Sequence, residues 1–168
     1  AIMGVISGIF AATGQTCIAG SRLLVQDTIY DKFVERLVKV ASEAKIGDPM
    51  SLDTHVGPVT TKPQFEKIMS YIDIAKSEGA KCLLGGKAYS GPDVKGDRFV
   101  EPTIFTDVKN DMRIAQEEVF GPVLSIIRFK NEDEAIKIGN DVIFGLAAGV
   151  WTNDIGRALR MSDALRAG

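Results

Sequence analysis

The spacing of apolar and polar positions divides the chain into alternating helices and strands. Residues 1–14 form an uncharged, largely apolar run that reads as a buried helix ended by Gly14. The tight turn Gly14-Gln15-Thr16-Cys17 follows at once, and Arg22–Gln26 reads as a short strand. Asp27 then caps a helix whose apolar positions Ile29, Phe33, Leu37, Val40 and Ala44 recur at helical spacing, and Lys45-Ile46-Gly47-Asp48-Pro49 stops it. A second amphipathic helix starts near Thr61, lines up Phe65, Ile68, Ile72 and Ala75 on one face, and ends at Gly79.

Lys81–Leu84 reads as a strand closed by Gly85-Gly86. Residues 87–98 are polar, with Gly91-Pro92 and Gly96-Asp97, and read as a loop before an extended segment over 99–105. Val123–Phe129 is the strongest strand, a near-continuous apolar run of the kind that suits a parallel strand covered on both faces. Asn131 opens a helix with Glu134 as its capping-box partner. Residues 146–151 read as a small-residue strand, and Asn153 or Asp154 caps a last helix carrying Ile155, Ala158, Leu159 and Leu165. Strands alternating with helices of ten or more residues point to an α/β domain with a mostly parallel sheet.

Bulk properties narrow the class. The chain has 168 residues, enough for one domain with a normal core; 45% of residues are hydrophobic and 25% charged, as in ordinary soluble proteins. With a formal net charge of −2 and no Lys/Arg-rich tract, nothing calls for a nucleic-acid partner. The apolar start is too short to span a bilayer and has no basic leader, so neither a membrane partner nor a secretory signal is expected. Two cysteines, Cys17 and Cys82, exclude a disulfide scaffold and favour a reducing, cytoplasmic setting. The chain starts at Ala1 and stops at Gly168 directly after a helical pattern, so both ends read as cut from a longer protein.

Cys17 is the candidate nucleophile. The thiolate is the reactive form, and backbone N–H groups in a tight turn can hold an oxyanion. Local chemistry alone leaves open a small buried cysteine with no catalytic role. Cys82 lies within a strand and reads as core. His55, the only histidine, sits among polar loop residues, and no Cys/His set lies at metal-ligand spacing, so no metal is expected.

The wider context carries a resemblance. Gly14-Gln15-Thr16-Cys17-Ile18-Ala19-Gly20-Ser21-Arg22 resembles the active-site cysteine segment of the aldehyde dehydrogenase superfamily. Further pieces follow in the family's order: Lys45-Ile46-Gly47-Asp48-Pro49, Gly57-Pro58, Glu78-Gly79-Ala80, Gly85-Gly86, Glu101-Pro102-Thr103-Ile104-Phe105 and Glu117-Glu118-Val119-Phe120-Gly121-Pro122-Val123. Asp133-Glu134-Ala135, Asn140-Asp141 and Gly145-Leu146-Ala147-Ala148-Gly149-Val150 complete the series, which covers essentially the whole chain.

The resemblance implies a three-layer αβα catalytic domain over 1–168 and oxidation of an aldehyde to a carboxylic acid with NAD or NADP. Cys17 matches the nucleophile, passing through a thiohemiacetal and a thioester. Glu118 matches the carboxylate that accepts from the nicotinamide ribose hydroxyls, and Phe120 matches the aromatic beside the nicotinamide. Thr16 and Ile18 match positions that line the substrate tunnel. Without the resemblance, Glu117 and Glu118 read as a solvated charge pair and Phe120 as core.

The resemblance also implies what lies elsewhere. There is no Gly-rich strand-to-helix turn of the dinucleotide-binding kind. The nucleotide-binding domain, the general-base glutamate, the oxyanion-hole asparagine and the oligomerisation arm are expected outside this chain, in a parent that is a homodimer or homotetramer. Competing readings are a non-catalytic structural relative, a coenzyme-A-acylating member, and a cysteine hydrolase unrelated to nicotinamide.

Overall fold

The computed structural model describes residues 1–92 and 94–168. Four strands form one sheet in the order β1-β4-β3-β2: β1 is Arg22–Gln26, β2 Lys81–Leu84, β3 Thr103–Thr106 and β4 Val123–Phe129. β4 is central and parallel to both β1 and β3, with Arg22 opposite Ser125 and Thr103 opposite Val123. β2 closes one edge antiparallel to β3, with Cys82 opposite Phe105.

Alternation along each strand sends side chains to two helical layers. Leu124 and Ile126 of β4 and Ile104 of β3 pack under α1 (Ile2–Phe10) and α2 (Tyr30–Ser42). Val123 and Ile127 of β4 and Phe105 of β3 pack under α3 (Lys62–Ser77) and the one-turn α4 (Arg113–Gln116). This is the expected three-layer αβα arrangement with a mostly parallel sheet. α5 (Glu132–Asn140) and α6 (Ile155–Ala164) follow β4 and are clamped together by Arg160, which makes two hydrogen bonds to Glu132 at 2.7 and 2.8 Å. Among the described residues no helix is long and apolar enough to cross a membrane.

α3 begins as its sequence indicates, with the Thr61 hydroxyl accepting from the Gln64 N–H at 3.3 Å and Pro63 in the first turn. α5 begins likewise, with the Asn131 side chain accepting from the Glu134 N–H at 3.0 Å and the Glu134 carboxylate reaching back to the Lys130 N–H at 2.7 Å. Asp154, rather than Asn153, caps α6 by accepting from the Arg157 N–H at 3.0 Å.

Four expectations are corrected. The first helix ends at Phe10, and residues 11–14 turn away with Ala12, Thr13 and Gly14 all left-handed (φ 50°, 57° and 66°). Asp27 opens only a 3-10 turn over Asp27–Ile29 and pairs with Arg128 at 3.5 Å, so α2 starts at Tyr30. Its buried stripe is therefore Tyr30, Val34, Leu37 and Ala41; Ile29 is exposed and Ala44 lies beyond the helix. Residues 146–151 are not a strand: they are irregular and exposed, with no neighbouring strand among the described residues to complete a ladder. The loop expected over 87–98 is irregular at its described residues, apart from one bridge between Ala88 and Val100, and Asp93 lies outside the described residues.

Candidate active site

The turn bearing Cys17 is held on four sides. Thr13, buried and left-handed, donates its hydroxyl to the Gly57 carbonyl at 3.2 Å. A β-branched residue in that conformation is held there by its surroundings, the sort of local strain found at functional sites. The Gln15 side-chain carbonyl accepts from the Thr60 N–H at 3.0 Å, so the loop over 57–60 is pinned twice. The Gly20 N–H donates to Gly8 of α1 at 2.9 Å, and Ser21 accepts from the Ser125 N–H at 2.9 Å to enter the sheet. Between these anchors the Ala19 N–H donates to Thr16 at 3.0 Å, leaving Cys17 and Ile18 at the corners of a β-turn. Thr16, Cys17 and Ile18 are all exposed. Among the described residues, the backbone N–H groups of Cys17 and Ile18 donate to no protein group.

The segment from Glu117 to Pro122 lies directly against this turn. A side chain on Gly14 would run into the carbonyl of Gly121 and the nitrogen of Pro122, so the two backbones meet where only glycine fits. The adjacent carboxylates Glu117 and Glu118 have opposite surroundings. Arg113 donates to Glu117 through two nitrogens at 2.7 and 2.8 Å, and the Tyr71 hydroxyl donates to it at 2.6 Å. Those bonds, Arg113 first and Tyr71 next, lower the Glu117 pKa to about 2. The bond to Glu117, with burial behind it, raises the Tyr71 hydroxyl. Glu118 is exposed and has no hydrogen-bond or ion-pair partner among the described residues. Val119 is buried, and Phe120 is half-buried with a left-handed backbone (φ 57°).

Both segments border one open cavity of about 600 Å³. The structure brings Thr16, Cys17, Ile18, Glu118 and Phe120 together on its wall, so every singled-out site residue falls in one place. Val142, residues 144–152 and Arg157 and Met161 of α6 also line the cavity. Arg22 anchors the floor: it donates to Asn110 at 2.9 Å and to the carbonyls of Ile138 at 3.0 Å and Gly139 at 2.9 Å. Burial lowers its pKa, and the nearby Asp141 works against that shift. The anchoring role of Arg22 and the Gly14–Gly121 contact were not legible in the sequence, because both depend on partners about a hundred residues away.

The remaining candidates sit apart from the cavity wall. The His55 imidazole accepts from the Lys45 N–H at 3.0 Å and holds its own loop. Cys82 is half-buried, packs against the α3 side of the core and donates to the Leu84 carbonyl at 3.2 Å; burial raises its pKa. Among the described residues no group of three His, Cys, Asp or Glu side chains is placed to hold a metal ion.

The sequence profile described as the aldehyde dehydrogenase family matches residues 1–168. The chain belongs to the aldehyde dehydrogenase family. Among the family's curated members, an aldehyde dehydrogenase from Aspergillus niger is 50% identical over 96% of this chain. A betaine aldehyde dehydrogenase from Mesorhizobium japonicum is 49% identical over all of it. Among solved structures, betaine aldehyde dehydrogenase from Staphylococcus aureus in complex with NAD+ superposes with a TM-score of 0.97 at 44% identity over 99% of this chain. An indole-3-acetaldehyde dehydrogenase complexed with NAD+ gives 0.95 at 42% identity. The chain spans about a third of the length of these relatives, 32% and 34% of the two curated proteins and 33% of the two solved chains.

Proposed function

We propose that this chain is the cysteine-bearing catalytic domain of a longer cytoplasmic NAD(P)-dependent aldehyde dehydrogenase that works as a homodimer or homotetramer. Cys17 is the nucleophile, Glu118 and Phe120 contact the cofactor, and Thr16 and Ile18 line the substrate tunnel. One observation carries the reading: the exposed Cys17 turn and the partnerless Glu118 face a single cavity, locked together by the Gly14–Gly121 contact.

The Cys17 thiolate forms a C–S bond to the aldehyde carbon, and the carbonyl electron pair moves onto oxygen. The free N–H groups of Cys17 and Ile18 are available to that oxyanion. When bound, NAD(P)+ supplies the hydride acceptor. Loss of hydride from the carbon leaves a thioester on Cys17, and attack by water breaks the C–S bond, releasing the acid and restoring the thiolate. In sum, aldehyde, NAD(P)+ and water give carboxylic acid, NAD(P)H and a proton. Glu118 fits the cofactor because an ionised carboxylate without a protein partner can accept from two vicinal ribose hydroxyls. Phe120 offers an apolar face beside it. The base that activates water and the asparagine side chain of the oxyanion hole belong to parts of the enzyme outside this chain.

The test is an assay of the full-length protein with a panel of aldehydes, each with NAD and with NADP, against Cys17→Ala. Cofactor reduction that disappears in the variant is the expected result. Reduction that survives in the variant removes Cys17 from the chemistry. No reduction by a folded protein that binds NAD points to a coenzyme-A-linked or non-catalytic relative.

A further inference from the structure

One face of α3 meets the cofactor segment at three successive positions. Gln64, Ile68 and Tyr71 are spaced four and three residues apart, so they stack along the same side of the helix. The Gln64 side-chain nitrogen donates to the carbonyls of both Val119 at 2.9 Å and Phe120 at 3.0 Å, engaging both its N–H bonds on consecutive peptides. Ile68 lies so close to Gly121 that a Cβ there would strike its side chain. Tyr71 donates to Glu117 at 2.6 Å. The segment thus bonded includes Phe120 in its left-handed conformation, a shape that a non-glycine residue keeps only when its surroundings impose it. Among the described residues Glu118 itself has no partner, so the peptides on either side of it set where its carboxylate goes.

We propose that Gln64 is a positioning residue for the cofactor. Bonded to the carbonyls of Val119 and Phe120, and assisted by Tyr71 on Glu117, it fixes the segment that aims Glu118 and Phe120 into the cavity. The proposal rests on the reading of Glu118 as a cofactor contact. Gln64 acts through the backbone of the segment, so removing its amide loosens cofactor binding, while the cysteine turn touches that segment only at the Gly14–Gly121 contact and keeps its own anchors through Gln15, Thr13 and Gly20.

The experiment uses the full-length enzyme and four variants: Gln64→Met, Glu118→Gln, the double variant, and Tyr71→Phe. KM for NAD(P), KM for aldehyde, kcat, and cofactor-independent acylation of Cys17 by p-nitrophenyl acetate are measured, together with the thermal midpoint. Gln64→Met should raise the cofactor KM about tenfold, the loss of roughly one well-made pair of hydrogen bonds. The thermal midpoint should fall by no more than a few degrees, as the loss of two hydrogen bonds requires, while aldehyde KM and the acylation burst stay near those of the parent, a pattern that a general loss of structure cannot produce. The double variant should be no worse than Glu118→Gln alone, because the two side chains act in series. Penalties that multiply would overturn the proposal and make Gln64 a direct contact.

A Gln64→Met enzyme with unchanged cofactor KM also overturns it. If Gln64→Met fails to fold, Tyr71→Phe decides. That variant removes one half-buried hydroxyl and should raise cofactor KM about two- to threefold with acylation intact; an unchanged KM would overturn the proposal. A Glu118→Gln enzyme with normal cofactor KM sinks the underlying reading of Glu118 and the proposal with it. Failure at Gln64 alone leaves that reading standing.

Discussion

β4 sits between two parallel strands, and its residues Leu124 and Ile126 are fully buried beneath α1 and α2. Residues 146–151 are just as apolar, yet they have no strand partner among the described residues, and Leu146, Val150 and Trp151 are exposed. Just ahead of them the Gly168 N–H donates to Gly145 at 3.2 Å, and at their far end the Trp151 ring lies against Gly4 of α1. Apolar composition is common to both regions; paired edges are not. A strand is a property of neighbours, because its backbone groups need a ladder on at least one side before burial becomes favourable.

Hydrogen exchange gives the largest contrast. Amides of residues 124–127 should open only with the whole domain, and those of 146–151 should exchange on the order of 10³-fold faster or more. Equal protection in the two regions would erase the distinction drawn between them. Next in size is truncation. Ile126→Ala should cost about 3–4 kcal/mol in denaturant unfolding, as buried large-to-small changes do. Leu146→Ala should stay within about 0.5 kcal/mol, and a loss above about 1 kcal/mol there would show that the segment is packed after all.

Glycines sharpen the same contrast. Gly14→Ala puts a side chain on a left-handed residue against the Gly121 carbonyl and should cost about 1–3 kcal/mol, with altered labelling of Cys17 by iodoacetamide. At Gly149 nothing lies within 4 Å, so Gly149→Ala should be close to neutral. The smallest effect concerns Glu132, held below the usual carboxylate range first by the Arg160 hydrogen bonds. A lowered carboxylate pKa gives stability that is present above the ordinary value and lost as pH falls through the lowered one. Glu132→Gln should therefore lower Tm slightly at neutral pH, and the difference from the parent should close on acidification below the usual carboxylate range. A difference that persists in acid would mean that the ion pair is not its source.

Local signals made much of this legible. Caps at Thr61 and Asn131 and the apolar run of β4 each depend on residues within one turn or one strand, so α3, α5 and β4 stand where they were expected. The cysteine turn was legible through family resemblance, and Thr16, Cys17, Ile18, Glu118 and Phe120 do share a cavity wall. What escaped the sequence depends on distant partners. Asp27 looks like a cap until Arg128, about a hundred residues later, takes its carboxylate. Ala12 and Thr13 carry no sign of left-handed backbone, and at Thr13 it is the distant Gly57 carbonyl, not a glycine, that holds the residue there. Glu117 and Glu118 look alike in sequence and differ only because Tyr71 and Arg113 reach one of them.

The pairing of β1 with β4 has a consequence for the order of assembly. Arg22 lies opposite Ser125, and the Arg22 guanidinium closes onto carbonyls 116 and 117 residues further along. Such distant contacts form slowly because a long loop must close first. On a ribosome adding about 5–20 residues per second, β1 waits roughly 5–20 s for its partner to be made. The nascent chain must carry the Cys17 thiol through that interval before the bond from the Ser125 N–H to Ser21 can form. A chain stalled before Val123 should therefore expose Val25 to protease, and one released after Phe129 should protect it.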